Sequence, residues 1–143
     1  MDWLAVDLPD WAGRLVDQAP VAHLGLVDDQ GGPRVLPVTF APAGGSLWSA
    51  VDDKPKRTRE LARVRWLRAR ARAALTVDRY SDQWDRLAWV QLLCAVSVVD
   101  DPAAAPAAME ALAAKYPPYR ERAPAGPLLR LDPERALCWR ATP

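Results

Sequence analysis

The sequence predicts an antiparallel β-barrel with helices on its outside. Short apolar runs rich in β-branched residues recur along it, mostly joined by brief Gly/Pro turns, which is hairpin chemistry. Helical periodicity is confined to separate blocks, and no strand–helix–strand unit repeats as a doubly wound sheet requires. The 143 residues suit one domain with a real core but not two. The expected organisation is a single domain over 1–143, with residues 1–20 forming a helical segment packed on it.

In that first segment Trp3, Leu4, Val6, Leu8, Trp11, Leu15 and Val16 follow an approximately helical spacing. Pro9 and Gly13 interrupt it, so a short broken helix is expected. "VAHLGLVDD", "RVLPVTFA" and "SLWSAV" then read as three strands of a meander, separated by the turns "QGGP" and "PAGG". Arg57 to Arg68 reads as a helix, with Leu61, Val64 and Leu67 on one face and Asp53 or Thr58 as its cap. "AALTVDRY" is a strand, "SDQWDR" a polar excursion, and "LAWVQLLCAVSVV" a long strand partly buried on both faces. "DDPAAAPAAMEALAAKYP" is a helix with an Asp-Pro entry and a Pro-Pro exit. "GPLLRLD" and "RALCWRAT" make a closing pair of strands parted by Pro133-Glu134.

Composition excludes several classes of function. Half the residues are hydrophobic and 26% charged, a globular rather than disordered balance. A net charge of +1 gives no global field for nucleic acid or an anionic membrane. "MDWLAVDLPDW" lacks the basic flank and apolar run of a signal peptide, and no stretch approaches the roughly 20 apolar residues of a membrane span. A cytoplasmic protein is expected. Cys94 and Cys138 form no C-x-x-C pair and the chain has one histidine, His23, so no metal site is expected. The cysteines read as small buried hydrophobes, and His23, on an apolar strand, as a structural residue.

Charge is instead concentrated locally. Lys54, Lys56, Arg57 and Arg59 lie in "WSAVDDKPKRTREL", at the end of a strand and the start of a helix. Three readings are open: a nucleic-acid backbone, a cofactor phosphate, or a solvated helix face whose arginine stems cover core edges. Nucleic acid is disfavoured by the adjacent acids Asp52 and Asp53 and by the lack of a recognisable binding motif. Position favours the phosphate, since unpaired N–H groups and the positive end of the dipole at a helix start already attract anions. Arg34 and Thr39 would add a second side. Five residues apart, they point to opposite faces of an ideal strand, so a bulge or twist is needed to bring both to one ligand.

These residues resemble a family. Arg34-Val35-Leu36-Pro37-Val38-Thr39, then Leu47-Trp48-Ser49, then Lys54-Pro55-Lys56-Arg57 ahead of a helix are similar to the pyridoxamine 5′-phosphate oxidase-like flavoproteins. The resemblance spans about Val21 to Trp139 and implies a split antiparallel β-barrel of the FMN-binding-protein type. It also implies that Arg34, and Lys56 with Arg57, grip a cofactor phosphate. Thr39 stands where the oxidase has lysine. "PVTFA", "KPKR" and "VDRYSDQW" resemble more closely the branch that uses the deazaflavin coenzyme F420, whose tail carries a phosphodiester and an oligoglutamate. Cys94 stands where relatives often have glycine, and Arg70-Ala71 where Asn-Pro usually stops the helix.

By the same resemblance Lys54 joins Lys56 and Arg57 at the phosphodiester, and Ser49 donates to the phosphate. Pro37, Val38, Thr39 and Phe40 line the ring system, and Tyr80 and Trp84, with Trp89 less firmly placed, form an aromatic wall beside it. The implied assembly is a homodimer with the cofactor at the subunit interface. No nucleophile–base pair or carboxylate dyad stands out, as expected where the cofactor carries the chemistry. The implied function is an F420-dependent oxidoreductase acting on an unsaturated small molecule. An FMN-dependent oxidoreductase on the same barrel, or a cofactor-binding protein with little chemistry, stand as alternatives.

Overall fold

A computed structural model describes residues 6–51 and 61–143. Its elements are α1 (Asp10–Gln18), β1 (Ala22–Val27), β2 (Pro33–Val38), β3 (Ala41–Ala43), β4 (Ser46–Ala50), α2 (Ala62–Ala69), β5 (Arg72–Arg79), β6 (Ala88–Val99), α3 (Pro106–Lys115), α4 (Pro117–Glu121) and β7 (Leu128–Arg140). Single 3-10 turns at Trp84–Arg86 and Pro102–Ala104 precede β6 and α3 respectively by position and follow β5 and β6 in sequence.

The strands form one seven-stranded sheet in the order β2-β1-β5-β6-β7-β4-β3, with every pairing antiparallel. Its two edge strands, β2 and β3, are consecutive in sequence and joined by Thr39 and Phe40 alone. Three Cα–Cα steps cover at most about 11 Å, so the edges of the sheet must come together. The sheet therefore curls into a barrel whose last seam is a chain crossing rather than a hydrogen-bonded ladder. This is the split antiparallel barrel, and it corrects the expected three-strand meander. "RVLPVTFA" is two strands on opposite edges, so within that stretch β1 pairs with β2 and β3 with β4, and β2 does not pair with β3.

Strand alternation fills the barrel. Leu24 and Leu26 of β1, Leu75 and Val77 of β5, and Val90 and Leu92 of β6 are all 4% exposed or less, as period-two patterning requires. Val16 of α1 and Val64 and Leu67 of α2 join this core from outside. A smaller cluster of Ala41, Ala50, Ala108, Leu112 and Leu128 seats α3 on the β3–β4 edge.

Proline placement explains the remaining departures. Pro9 precedes the first turn of α1, and Gly13 lies buried within it, so the helix runs unbroken from Asp10. Pro106 and Pro117 open α3 and α4, where a missing N–H is harmless. The expected closing pair is one strand. Leu93 pairs with Arg135 and Cys94 with Pro133, leaving Glu134 as the extra residue of a bulge. Proline, which cannot donate to a ladder, is tolerated there.

Phe40 is fully buried at the crossing, where its backbone has no ladder partner. The Tyr116 hydroxyl takes that role: it accepts from Phe40 N–H at 3.0 Å, and its proton lies between Phe40 O and Pro20 O, each at 2.9 Å. Tyr116→Phe is expected to destabilise the fold by about 1–3 kcal/mol, the penalty for unsatisfied buried backbone groups, in urea denaturation. A loss below about 0.5 kcal/mol, the range of ordinary surface changes, would contradict this placement.

Candidate functional site

The register places the sequence-predicted residues at two ends of the β2–β1–β5 part of the sheet, with Arg34 opposite the buried Leu26 and so on the inward parity of β2. Arg34 pairs with Leu26 near one end of β1, and Val38 with Ala22 near the other. His23 links Pro37 on one side to Thr76 on the other, so continuing past Val38 and past Thr76 leads to the same end of the barrel. Thr39 and Tyr80 lie there, while Arg34 is about 17 Å away at roughly 3.3 Å per residue. Between the two ends the outward positions are Val35, Pro37, His23, Gly25, Ala74 and Thr76. His23 is exposed on this face rather than set in the core.

Arg34 is held from two sides. Its guanidinium carbon lies 4.8 Å over the Trp66 ring of α2, and Nη1 is 3.6 Å from Asp28 Oδ2. Asp28 Oδ1 accepts from Gln30 N–H at 2.9 Å and Gly32 N–H at 2.7 Å. These bonds, led by that from Gly32, hold its carboxyl below the ordinary value of 3.8. Gly31 has φ 77°, and a Cβ on Gly32 would lie 3.0 Å from Asp28 Oδ2, so both glycines are needed to close the turn. The Arg34 side chain nevertheless remains 48% exposed, which leaves guanidinium surface for a ligand anion. Beside it a groove of about 450 Å³ runs across β2, β1, β5 and β6, lined by Gly25, Arg34, Val35, Arg72, Ala74 and Leu93 among others. Its walls are largely apolar, with cations at the rim.

The other end is aromatic. Tyr80 and Trp84 are 69% and 70% exposed, and Trp89 pairs directly with Trp139 on the outward face. Trp139, at 46% exposed, was not singled out from the sequence. Its signal was alternation in the last strand, hidden by reading that strand as two. Such a concentration of exposed aromatic surface marks a contact surface rather than a core.

The crossing at this second end is occupied by its own bonds. Ser49 is 1% exposed and donates to Thr39 O at 2.6 Å, so its hydroxyl is engaged by the crossing itself. Thr39 Oγ1 is 2.8 Å from Tyr119 Oη. Val38 and the Phe40 ring are buried, leaving Pro37 and Thr39 as the surface of this stretch. Tyr116, which holds it, falls within the expected helix stop, and Tyr119, which holds it too, carries no sequence signal of its own. Lys54, Lys56 and Arg57 lie outside the described residues.

Comparison with known proteins identifies the lineage. The pyridoxamine 5′-phosphate oxidase family matches residues 10–137. The chain belongs to that family, which includes oxidoreductases. Solved structures with the same fold include a conserved hypothetical protein from Mycobacterium tuberculosis, 16% identical, TM-score 0.76, covering 95% of this chain and 86% of the other. An FAD-binding protein from Mesorhizobium loti is 17% identical, TM-score 0.68, with coverages of 92% and 94%. A protein described as an F420 reductase is 20% identical, TM-score 0.66, with coverages of 91% and 98%. Comparison with curated proteins returns no match. Within this family's barrel, among the described residues no helix is long and apolar enough to cross a membrane.

The Asp28 bonds make a pH dependence. A carboxyl with a lowered folded pKa contributes stability above its unfolded value and loses it as pH falls through the folded value. Asp28→Asn is expected to be less stable than the wild type at neutral pH. The difference should shrink as pH falls below 3.8, followed by thermal melts across that range. A constant difference down to strongly acid pH would contradict the assignment.

Proposed function

We propose that this chain is an F420-dependent oxidoreductase that moves a hydride between the reduced deazaflavin and an activated double bond of a conjugated or aromatic small molecule. The observation that carries the reading is the separation of the sequence-predicted residues along the strand direction. Arg34 offers a half-exposed cation at one end, and Thr39, Tyr80 and Trp84 offer a polar and aromatic surface about 17 Å away. A ligand with a flat ring at one end and an anionic tail at the other matches that layout. The family supports a flavin-type cofactor.

The deazaflavin, when bound, supplies the hydride chemistry. The chain binds, orients and excludes water. Arg34, with Lys54, Lys56 and Arg57, would hold the phosphodiester through charge-assisted hydrogen bonds. Arg34 must exchange part of its contact with Asp28 for the phosphate, while its stacking on Trp66 keeps the fork in place. The Pro37–Phe40 stretch would run along the ring, with Thr39 Oγ1 as its side-chain hydrogen-bonding group, and Tyr80 and Trp84 would shield it. FMN is the second reading, favoured by the family's namesake enzyme and the FAD-binding relative.

The outward face also suggests the assembly. Val35 is 67% exposed and Trp139 46%, and both point outward from the barrel. Two copies joined through these faces would bury them and enclose the cofactor. Sedimentation is expected to show a dimer, with Val35→Glu shifting it towards monomer. A monomer at every concentration would contradict this.

Cofactor choice is tested by titrating the protein with coenzyme F420 and with FMN while following tryptophan fluorescence. Micromolar F420 binding is expected. Arg34→Ala, and Lys56→Ala combined with Arg57→Ala, should each weaken it by about tenfold or more, since bonds to charged groups are worth roughly 1.5–3 kcal/mol. Binding of FMN alone would overturn the F420 reading, and unchanged affinity in the variants would overturn the phosphate assignment.

A further inference from the structure

The α3–α4 corner holds a charge with no role in the site described so far. Lys115 is the last residue of α3. Its Nζ is shut off from solvent and has no hydrogen-bond partner among the described residues. A lysine at a helix C-terminus ordinarily satisfies its ammonium on the last carbonyl oxygens. Here Arg120 occupies neighbouring acceptors, donating from Nε to Ala113 O and from Nη2 to Ala114 O, both at 2.7 Å. The Lys115 ammonium lies instead over the Phe40 ring, 3.8 Å from its centroid, with the Tyr116 ring next at 5.4 Å. A cation over an aromatic face is attracted by the ring quadrupole, more strongly where water is excluded.

The same corner grips the two-residue crossing in two further places, through Tyr116 on the Phe40 backbone and Tyr119 on the Thr39 hydroxyl. An apolar side chain at 115 would fill this space without the desolvation penalty of a buried cation. What the cation adds is attraction to the ring.

We propose that Lys115 is a positioning residue: its ammonium, seated on the Phe40 ring, holds the Thr39–Phe40 crossing in the shape that receives the cofactor, and loss of the charge loosens the site. This rests on the reading of the β2 end as part of a flavin-type cofactor site. Lys115 acts through Phe40 and does not itself touch the ligand.

The charge is lost within a reachable pH range. Burial pushes Lys115 down to about 8, opposed by Asp17 of α1. Among the other groups at this corner, Arg120 stays charged, burial raises Tyr116 above 10.0, and the Tyr119 hydroxyl is bonded to Thr39. A base with a lowered folded pKa opposes folding while it is charged. Between about 8 and 10.5 the folded chain binds fewer protons than the unfolded, so the Lys115 contribution to stability rises with pH. Cofactor affinity should fall as pH rises through about 8. The opposite signs separate positioning from a merely structural role.

Phe40 is the one phenylalanine of the chain, so isotope-labelled phenylalanine gives a single ring signal by NMR. The experiment follows that signal, and the affinity for whichever of coenzyme F420 or FMN binds, as pH rises through about 8, in wild type, Lys115→Met and Lys115→Arg. The ring signal is expected to titrate in wild type and to stay flat in Lys115→Met. Lys115→Met should bind the cofactor roughly two- to fivefold more weakly at neutral pH while being no less stable, and Lys115→Arg should keep the affinity across the range. Taking the wild-type pH dependence relative to Lys115→Met removes titration of the cofactor itself. A flat ring signal in wild type overturns the proposal, as does a titrating ring with an affinity that matches Lys115→Met at every pH. Binding of neither cofactor by wild type at any pH overturns the functional reading instead, and the positioning role falls with it.

Discussion

Thr39 and Phe40 join the two outer strands of a seven-stranded sheet, and that short span forces the sheet to close. A crossing of two residues cannot reach between the edges of an open, twisted sheet of this width. It can exist only if the barrel curls, and it persists only if its buried backbone is satisfied without a ladder. Tyr116 and Ser49 provide the missing partners, and Tyr119 bonds the Thr39 side chain. The helices α3 and α4 are therefore the brace across the barrel's seam rather than decoration on its surface.

Closure also determines where a ligand can lie. The crossing fixes the end of β2, and the β1 register then aligns that end with the Tyr80 end of β5. The turn from Asp28 to Gly32 fixes the opposite end, where Arg34 is stacked on Trp66. Apart from His23, the outward face between them is lined by small or apolar residues, so a flat molecule can lie close to the backbone. Electrostatics and shape thus divide along the strand direction, with cations and a groove at one end and aromatic rings at the other.

Much of this was legible in the sequence, because alternating apolar residues and Gly/Pro turns report directly on half-buried strands. The β1–β2 and β3–β4 turns and the end of α3 before Pro117-Pro118 follow from local chemistry, whereas the expected Asp101-Pro102 entry opens only a 3-10 turn and α3 begins at Pro106. The break inside "RVLPVTFA" was not legible, since Thr39 and Phe40 carry none of the Gly/Pro signals of a turn and belong equally well in a strand. Pro133-Glu134 misled in the opposite direction, as a turn signal that the long β6–β7 ladder absorbs as a bulge. Thr39 lies beyond the last ladder pair of β2, so the strict alternation of the pleat no longer governs it. Tyr116, Tyr119 and Lys115 meet the crossing from about 80 residues away in sequence, a proximity no local pattern encodes.

That one ligand spans both ends of β2 is tested most directly by amide hydrogen exchange with bound cofactor. Slowed exchange at Arg34–Val35 and at Thr39–Phe40 together, with matching protection around Tyr80 to Trp84, is the expected result. Protection confined to one end, or appearing only on the α3–α4 side of the barrel, would contradict it.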